Sequence, residues 1–172
     1  IYGTCFFQLI ASVPQYFNKE CHYSEDTIGW LMGLNGFFVV LLEMPLVTAL
    51  EKKQKNIFRY IIMGAFCASF SFLILQLGNG MFIWSLVFIL VITMSEILCM
   101  PFMMYYSLSK PINERQGQYS ALYSISYGIA NIIAPIVGLG IADRFGFDVM
   151  FYFFVLVGLI AVGGFVYLKK KR

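Results

Sequence analysis

Six long apolar runs divide this 172-residue chain. They cover about residues 1–17, 27–50, 57–77, 81–109, 117–142 and 149–168. A helix needs about 20 apolar residues to cross a hydrocarbon core of roughly 30 Å. Helices satisfy all their backbone groups internally in lipid, and runs of this length are too long for the strands of a membrane barrel. The runs therefore predict an all-α membrane protein with six transmembrane helices.

The composition excludes a soluble globular class, because 60% of the residues are hydrophobic and only 12% are charged. Soluble domains average about 25% charged residues. The four cysteines have no C-x-x-C spacing, and His22 has no second ligand candidate beside it, so we expect neither a metal site nor a cofactor. Because the H-E-x-x-H and G-x-S-x-G motifs are also absent from the sequence, we do not expect an enzyme.

The basic residues are distributed very unevenly between the two sides of the predicted membrane. Ten of the twelve follow the second, fourth and sixth runs: Lys52, Lys53, Lys55, Arg59, Lys110, Arg115, Lys169, Lys170, Lys171 and Arg172. The positive-inside rule places that side in the cytoplasm. We therefore expect a multi-pass protein of the cell membrane, the inner membrane in a bacterium, with both termini cytoplasmic. The basic tail reads as a topology anchor, and we expect no nucleic-acid partner.

Two acidic residues, Glu43 and Glu96, lie inside apolar runs that contain no Lys, Arg or His. An acidic side chain at the bilayer centre costs about 2.5–3.5 kcal/mol on insertion scales, so such residues face a bundle interior or a wet cavity. Burial without a cation favours uptake of a proton. We expect Glu96, near the middle of its run, to line a transport pathway and carry a proton. Glu43 lies closer to the cytoplasmic end and is a second proton-coupling candidate.

Four of the six runs carry a polar or aromatic stripe at helical spacing. Interhelical hydrogen bonding alone would explain any single stripe. Four stripes, two of them with a carboxylate, favour a shared cavity. Its candidate lining residues are Gln8, Ser12, Asn35, Thr93, Met100, Met103, Tyr123, Tyr127 and Asn131. The methionines fit gap-filling or an adaptable apolar surface. The third and sixth runs lack a comparable stripe and read as peripheral supports.

Five short motifs then follow one another in a recognisable order. They are Ile28–Gly36 running on to Leu42–Leu46, Ser95–Ile97 with Pro101, Pro111 with Glu114–Gly117, Tyr119 with Tyr123, and Ala134–Gly138 with Ala142–Gly146. With the six-run topology, they resemble the C-terminal half of a major facilitator superfamily transporter, and most closely its drug:proton antiporter branch. The resemblance spans essentially the whole chain.

The resemblance implies two inverted three-helix repeats and a substrate cavity near the midplane, exposed alternately to each side. It implies that the first and fourth spans line the cavity and that the second and fifth flank an N-terminal half outside this sequence. The third and sixth spans would lie outside the cavity. The resemblance implies an acidic residue at the position of Glu96, as in many relatives of this branch, whereas Gln is common at the position of Glu43.

Three functions remain open at this stage. The first is proton-coupled efflux of small amphipathic molecules, favoured by an aromatic, methionine-rich and cation-free lining. The second is a proton-coupled importer of peptides or sugars, and the third is a non-transporting membrane scaffold. The expected partners are the lipid bilayer, the N-terminal half of the same transporter, a small-molecule substrate and protons.

Overall fold

A computed structural model describes residues 1–51, 57–109 and 116–171 of the chain. In these ranges every regular element is a helix. In chain order they are α1 (Tyr2–Phe6), α2 (Gln8–Ala11), α3 (Val13–Lys19), α4 (Glu25–Glu51), α5 (Ile57–Leu77), α6 (Phe82–Leu108), α7 (Gln116–Phe145) and α8 (Phe147–Lys170). The predicted all-α class is confirmed, and the protein is a multi-pass membrane protein that contacts lipid.

The first predicted span is not one uninterrupted helix. Phe7 and Ser12 separate α1, α2 and α3, although both residues keep a right-handed helical backbone. Pro14 explains the second interruption, because its ring lacks the N–H that would pair with the carbonyl four residues earlier. Five helices, α4 to α8, are long and apolar enough to cross a membrane, and the three short pieces take the place of the first predicted span.

The five long helices begin and end within three residues of the predicted runs. α5 has the predicted bounds, whereas α7 continues three residues beyond the apolar run to Phe145. Gly146 then separates α7 from α8 with a φ of 86°, a left-handed conformation that glycine adopts at little cost. Pro101 lies inside α6, which continues through it to Leu108.

The packed core lies where α5 meets α6 and α8. A cluster of four aromatic rings fills it, with Phe72 stacked or tilted against Phe88, Phe151 and Phe154 at centroid distances of 5.9–6.3 Å. Half of the apolar window of α5 is buried, as is half of that of α6. The third span is therefore not peripheral in packing, since it forms the middle of this core.

α4 and α7 are much less covered. Only 6% of the apolar window of α4 is buried, and 22% of that of α7. The resemblance assigns these two spans to the seam with an N-terminal half. Their exposed apolar faces are compatible with that assignment, which stays a prediction, as does the inverted-repeat arrangement.

Three inter-helix connections lie together at one end of the bundle. Lys19 Nζ is 3.8 Å from Asp143 Oδ1, and the Tyr23 hydroxyl donates to the Gly80 carbonyl over 2.8 Å. This end is the less basic one. The predicted cytoplasmic side stays a prediction, because most of the residues on which it rests lie outside the described ranges: Lys52, Lys53, Lys55, Lys110, Arg115 and Arg172. The motif residues Pro111 and Glu114 also lie outside them.

Candidate substrate and proton site

The structure joins three of the predicted site residues in one hydrogen-bonded group between α4 and α6. Asn35 Nδ2 donates to Glu96 Oε2 over 3.2 Å and to Thr93 Oγ1 over 2.9 Å. We call Asn35, Thr93 and Glu96 the Asn35 clasp. Positions 93 and 96 lie three apart and therefore share one side of α6, and on that side both contact Asn35 of α4.

The clasp contains one hydroxyl whose direction is fixed. Thr93 Oγ1 donates to the Ile89 carbonyl of its own helix over 2.6 Å, which leaves only its lone pairs for Asn35. Thr93 is buried, whereas Glu96 is partly exposed. The carboxylate therefore lies at the edge of the packed region. It accepts a hydrogen bond from Asn35 and is partly exposed.

Glu43 belongs to the same side of α4 as Asn35, two turns further along the helix. A negative charge on Glu43 would therefore act on Glu96. Within the described residues no basic side chain forms an ion pair with either carboxylate. The site can therefore accept positive charge, either as a proton or as a cationic ligand.

An aromatic group from α7 lies beside the clasp. The Tyr123 hydroxyl donates to the Met100 carbonyl over 3.3 Å, and the rings of Tyr123 and Tyr127 are 4.7 Å apart. The buried Tyr127 hydroxyl interacts with the hydroxyl of Tyr123 and, electrostatically, with Glu96. Tyr127 and Met103 also line a cavity of about 280 Å³ that reaches α1 and α8.

Gln8 and Ser12 take part in a contact between helices, and their assignment to the cavity stays a prediction. Both are fully buried. Gln8 Nε2 donates to the Ala134 carbonyl of α7 over 2.8 Å, and the Ser12 hydroxyl donates to Gln8 Oε1 over 2.6 Å. Gly138 lies directly against these two side chains, where a Cβ would overlap them. These two contacts fit interhelical hydrogen bonding, the alternative that was open from the sequence.

Asn131, the last predicted cavity residue, is exposed on α7. No hydrogen bond joins it to the Asn35 clasp or to the tyrosine pair in the described part of the chain. It lies one turn beyond Tyr127, in the direction away from Tyr123, so the stripe on α7 extends past the part that meets α6.

Sequence reasoning missed one support of the site. The Tyr2 hydroxyl lies 3.1 Å from Ser95 Oγ and 3.2 Å from the Ser95 carbonyl, next to Glu96 in sequence. Tyr2 is outside the stripe of its span, and no periodicity pairs residue 2 with residue 95. The only available signal was a tyrosine in an apolar run, since a buried phenol usually finds a hydrogen-bond partner.

The structure is that of a polytopic α-helical membrane protein, with the Glu96 carboxylate hydrogen-bonded between two of its helices. The family model of the Major Facilitator Superfamily matches residues 1–127, about three quarters of the chain. The chain belongs to this superfamily of membrane transporters. No curated protein and no solved structure matches the chain.

Proposed function

We propose that the chain is the C-terminal six-helix part of a proton-coupled transporter that works by alternating access and expels small amphipathic molecules. Glu96 carries the proton, with Glu43 as a second acidic group nearer the cytoplasmic end. The observation that carries this proposal is the Asn35–Glu96 hydrogen bond, because it places the one mid-span carboxylate at a helix interface with no basic partner among the described residues.

The lining supports an amphipathic substrate. Met103 and Tyr127 line one cavity, and Tyr123 contacts the backbone of Met100, so methionines and tyrosines offer polarizable and aromatic surface where α6 meets α7. Aromatic faces attract organic cations, and methionine adapts to varied apolar shapes. A carboxylate without a basic partner suits the exchange of a proton for such a ligand better than it suits the capture of an anion.

The partner in this proposal is an N-terminal half of the same transporter, lying against α4 and α7. Large apolar side chains remain exposed on these two helices, among them Trp30, Phe37, Val40, Ile132 and Ile136. Part of this surface would face the second half and part would face lipid. The proposed location is a cell membrane, the inner membrane in a bacterium, with both termini in the cytoplasm.

The test uses the full-length protein in inverted membrane vesicles with ethidium, an amphipathic aromatic cation, as the probe. An imposed proton gradient should drive ethidium accumulation in wild type, and Glu96→Gln should abolish the uphill movement. Glu25→Gln is the matched control, because it removes an exposed carboxylate at the start of α4.

Each alternative has its own outcome. Gradient-driven uptake in right-side-out vesicles would identify an importer and contradict the direction proposed. If the wild-type protein transports neither ethidium nor the peptide and sugar probes under an imposed proton gradient, the scaffold function would be favoured. Unchanged uphill transport by Glu96→Gln would remove Glu96 from the mechanism.

A further inference from the structure

The Asn35 side chain uses both of its amide hydrogens on α6. One contacts Thr93 Oγ1 and the other contacts Glu96 Oε2. Because the proton of Thr93 is already committed to the Ile89 carbonyl, Thr93 can only accept from Asn35. The amide must therefore present its NH₂ group to α6, and an NH₂ group is complementary to an ionised carboxylate.

α4 has few other attachments to the bundle. Leu31 is its one fully buried apolar side chain within the described residues. Its remaining described side-chain hydrogen bonds stay local, namely Thr48 to the Met44 carbonyl and Ser24 with Thr27 at its start. Within that part of the chain, Asn35 supplies the side-chain hydrogen bonds that join α4 to another helix.

We infer that Asn35 is a positioning residue that transmits the charge of Glu96 to α4. The inference rests on the proposed function, in which Glu96 gains and loses a proton during transport. A hydrogen bond to an ionised acceptor is roughly twice as strong as one between neutral groups. Protonation of Glu96 therefore weakens the clasp and loosens α4 from α6, while the core of α5, α6 and α8 stays in place.

Other ionisable groups near Glu96 do not duplicate this role. Glu43 of α4 and Tyr127 of α7 interact with Glu96 electrostatically, without a hydrogen bond to it in the described residues. On the side facing α5, the Cys99 thiol donates to the Ile61 carbonyl instead. From α1, Tyr2 contacts Ser95. Among the described residues around Glu96, Asn35 is the one whose side chain donates a hydrogen bond to the carboxylate.

The experiment measures the position of α4 as a function of pH. Spin labels are attached to non-canonical amino acids that replace Val40 on α4 and Met63 on α5, both exposed. The labelled full-length protein is reconstituted into a bilayer. Double electron–electron resonance gives the distance distribution at high and low pH without added ligand. In wild type, acidification should shift the ratio of docked to loosened α4 by about two- to fourfold, because a neutral acceptor keeps about half the strength of the hydrogen bond.

Three variants assign the effect. Asn35→Leu removes both donors and should abolish the pH dependence, and Asn35→Ala is the second variant in case the leucine prevents folding. Glu96→Gln should also abolish it. Tyr2→Phe removes a different hydrogen bond to α6, next to Glu96 in sequence, and should leave the pH dependence intact.

The outcomes separate this inference from the proposed function. A pH response that survives in both Asn35 variants overturns the inference, and proton-driven ethidium transport still decides the role of Glu96. A pH response that survives in Glu96→Gln assigns the sensor to another group and also overturns it. Absence of any response in wild type, in a protein that transports ethidium, shows that α4 does not follow the charge of Glu96.

Discussion

α4 and α5 look alike in sequence and differ in the structure. Their mean hydropathies are 1.7 and 1.9, yet 6% of one window is buried and 50% of the other. The glycines show the same contrast. A Cβ on Gly64 of α5 would lie 2.9 Å from the Ser95 carbonyl oxygen, whereas a Cβ on Gly29, Gly33 or Gly36 of α4 would meet no non-neighbouring atom of the described residues within 4 Å. Hydropathy therefore reports that a helix belongs in lipid, and does not report which of its faces another helix covers.

The largest difference is expected for aromatic truncations. Phe72→Ala on α5 should lower the free energy of unfolding by about 3–5 kcal/mol, because it empties the centre of a four-ring cluster. Phe37→Ala on α4 should change it by less than about 0.5 kcal/mol, since that side chain is 60% exposed. Unfolding of the purified chain in mixed micelles with increasing denaturing detergent measures both. Equal losses would mean that the two helices are equally packed.

The next largest effect is expected from adding a methyl group at a glycine. The change in the free energy of unfolding should have opposite signs on α5 and α4. Gly64→Ala pushes a Cβ against Cys99 and the Ser95 carbonyl and should destabilise the fold by about 1–3 kcal/mol. Gly33→Ala meets open space and should stabilise α4 by about 0.5–1 kcal/mol through helix propensity. The same micelle titration applies to both. A destabilising effect of Gly33→Ala would show that α4 is covered in the chain by itself.

The sequence predicted the class and the helices because both follow from local patterns. Run length gave the spans, and three-residue spacing put Thr93 and Glu96 on one face of α6. The first span was less predictable, since the break at Ser12 depends on Pro14 and on neighbours that accept a distorted helix. Packing partners were not predictable, because each partner is remote in sequence, as Ser69 is from Gly158 and Tyr2 is from Ser95.

The candidate site shows the same difference between features that local patterns predict and contacts that they do not. The three residues of the Asn35 clasp were each candidates for the site, because polar groups inside a span face a bundle interior or a cavity, but the hydrogen bonds between them were not predicted. Gln8 and Ser12 fit the same rule and yet bond to α7 and to each other. Spacing on one helix cannot say whether a polar face meets a cavity or a neighbouring backbone, since both satisfy the same donors.

A smaller effect tests the hydrogen bonds that hold α4. Asn35→Leu should lower the free energy of unfolding by about 0.6 kcal/mol, and by no more than about 1.7 kcal/mol, the range measured for hydrogen bonds between membrane helices. Tyr2→Phe, which removes the hydroxyl near Ser95, should fall in the same range. Micelle unfolding of the two variants side by side is the measurement. A loss well above this range for Asn35→Leu would indicate a packing role for the side chain.

The smallest expected effect is the coupling energy between two substitutions. It tests the Asn35–Glu96 hydrogen bond most directly. Asn35→Leu removes the donor of one hydrogen bond and Glu96→Gln removes the charge of its acceptor, so their effects on unfolding should be non-additive by about 0.5 kcal/mol or more. Asn35→Leu and Tyr2→Phe share no hydrogen-bond partner and should add within about 0.3–0.5 kcal/mol. Double-mutant cycles above and below the pH of the transition seen by spin labelling measure both pairs. The first coupling should shrink at the lower pH, because the neutral carboxyl is the weaker acceptor, and the second should stay constant. A first coupling that is the same at both pH values would mean that α4 is fastened to α6 without reference to the charge of Glu96.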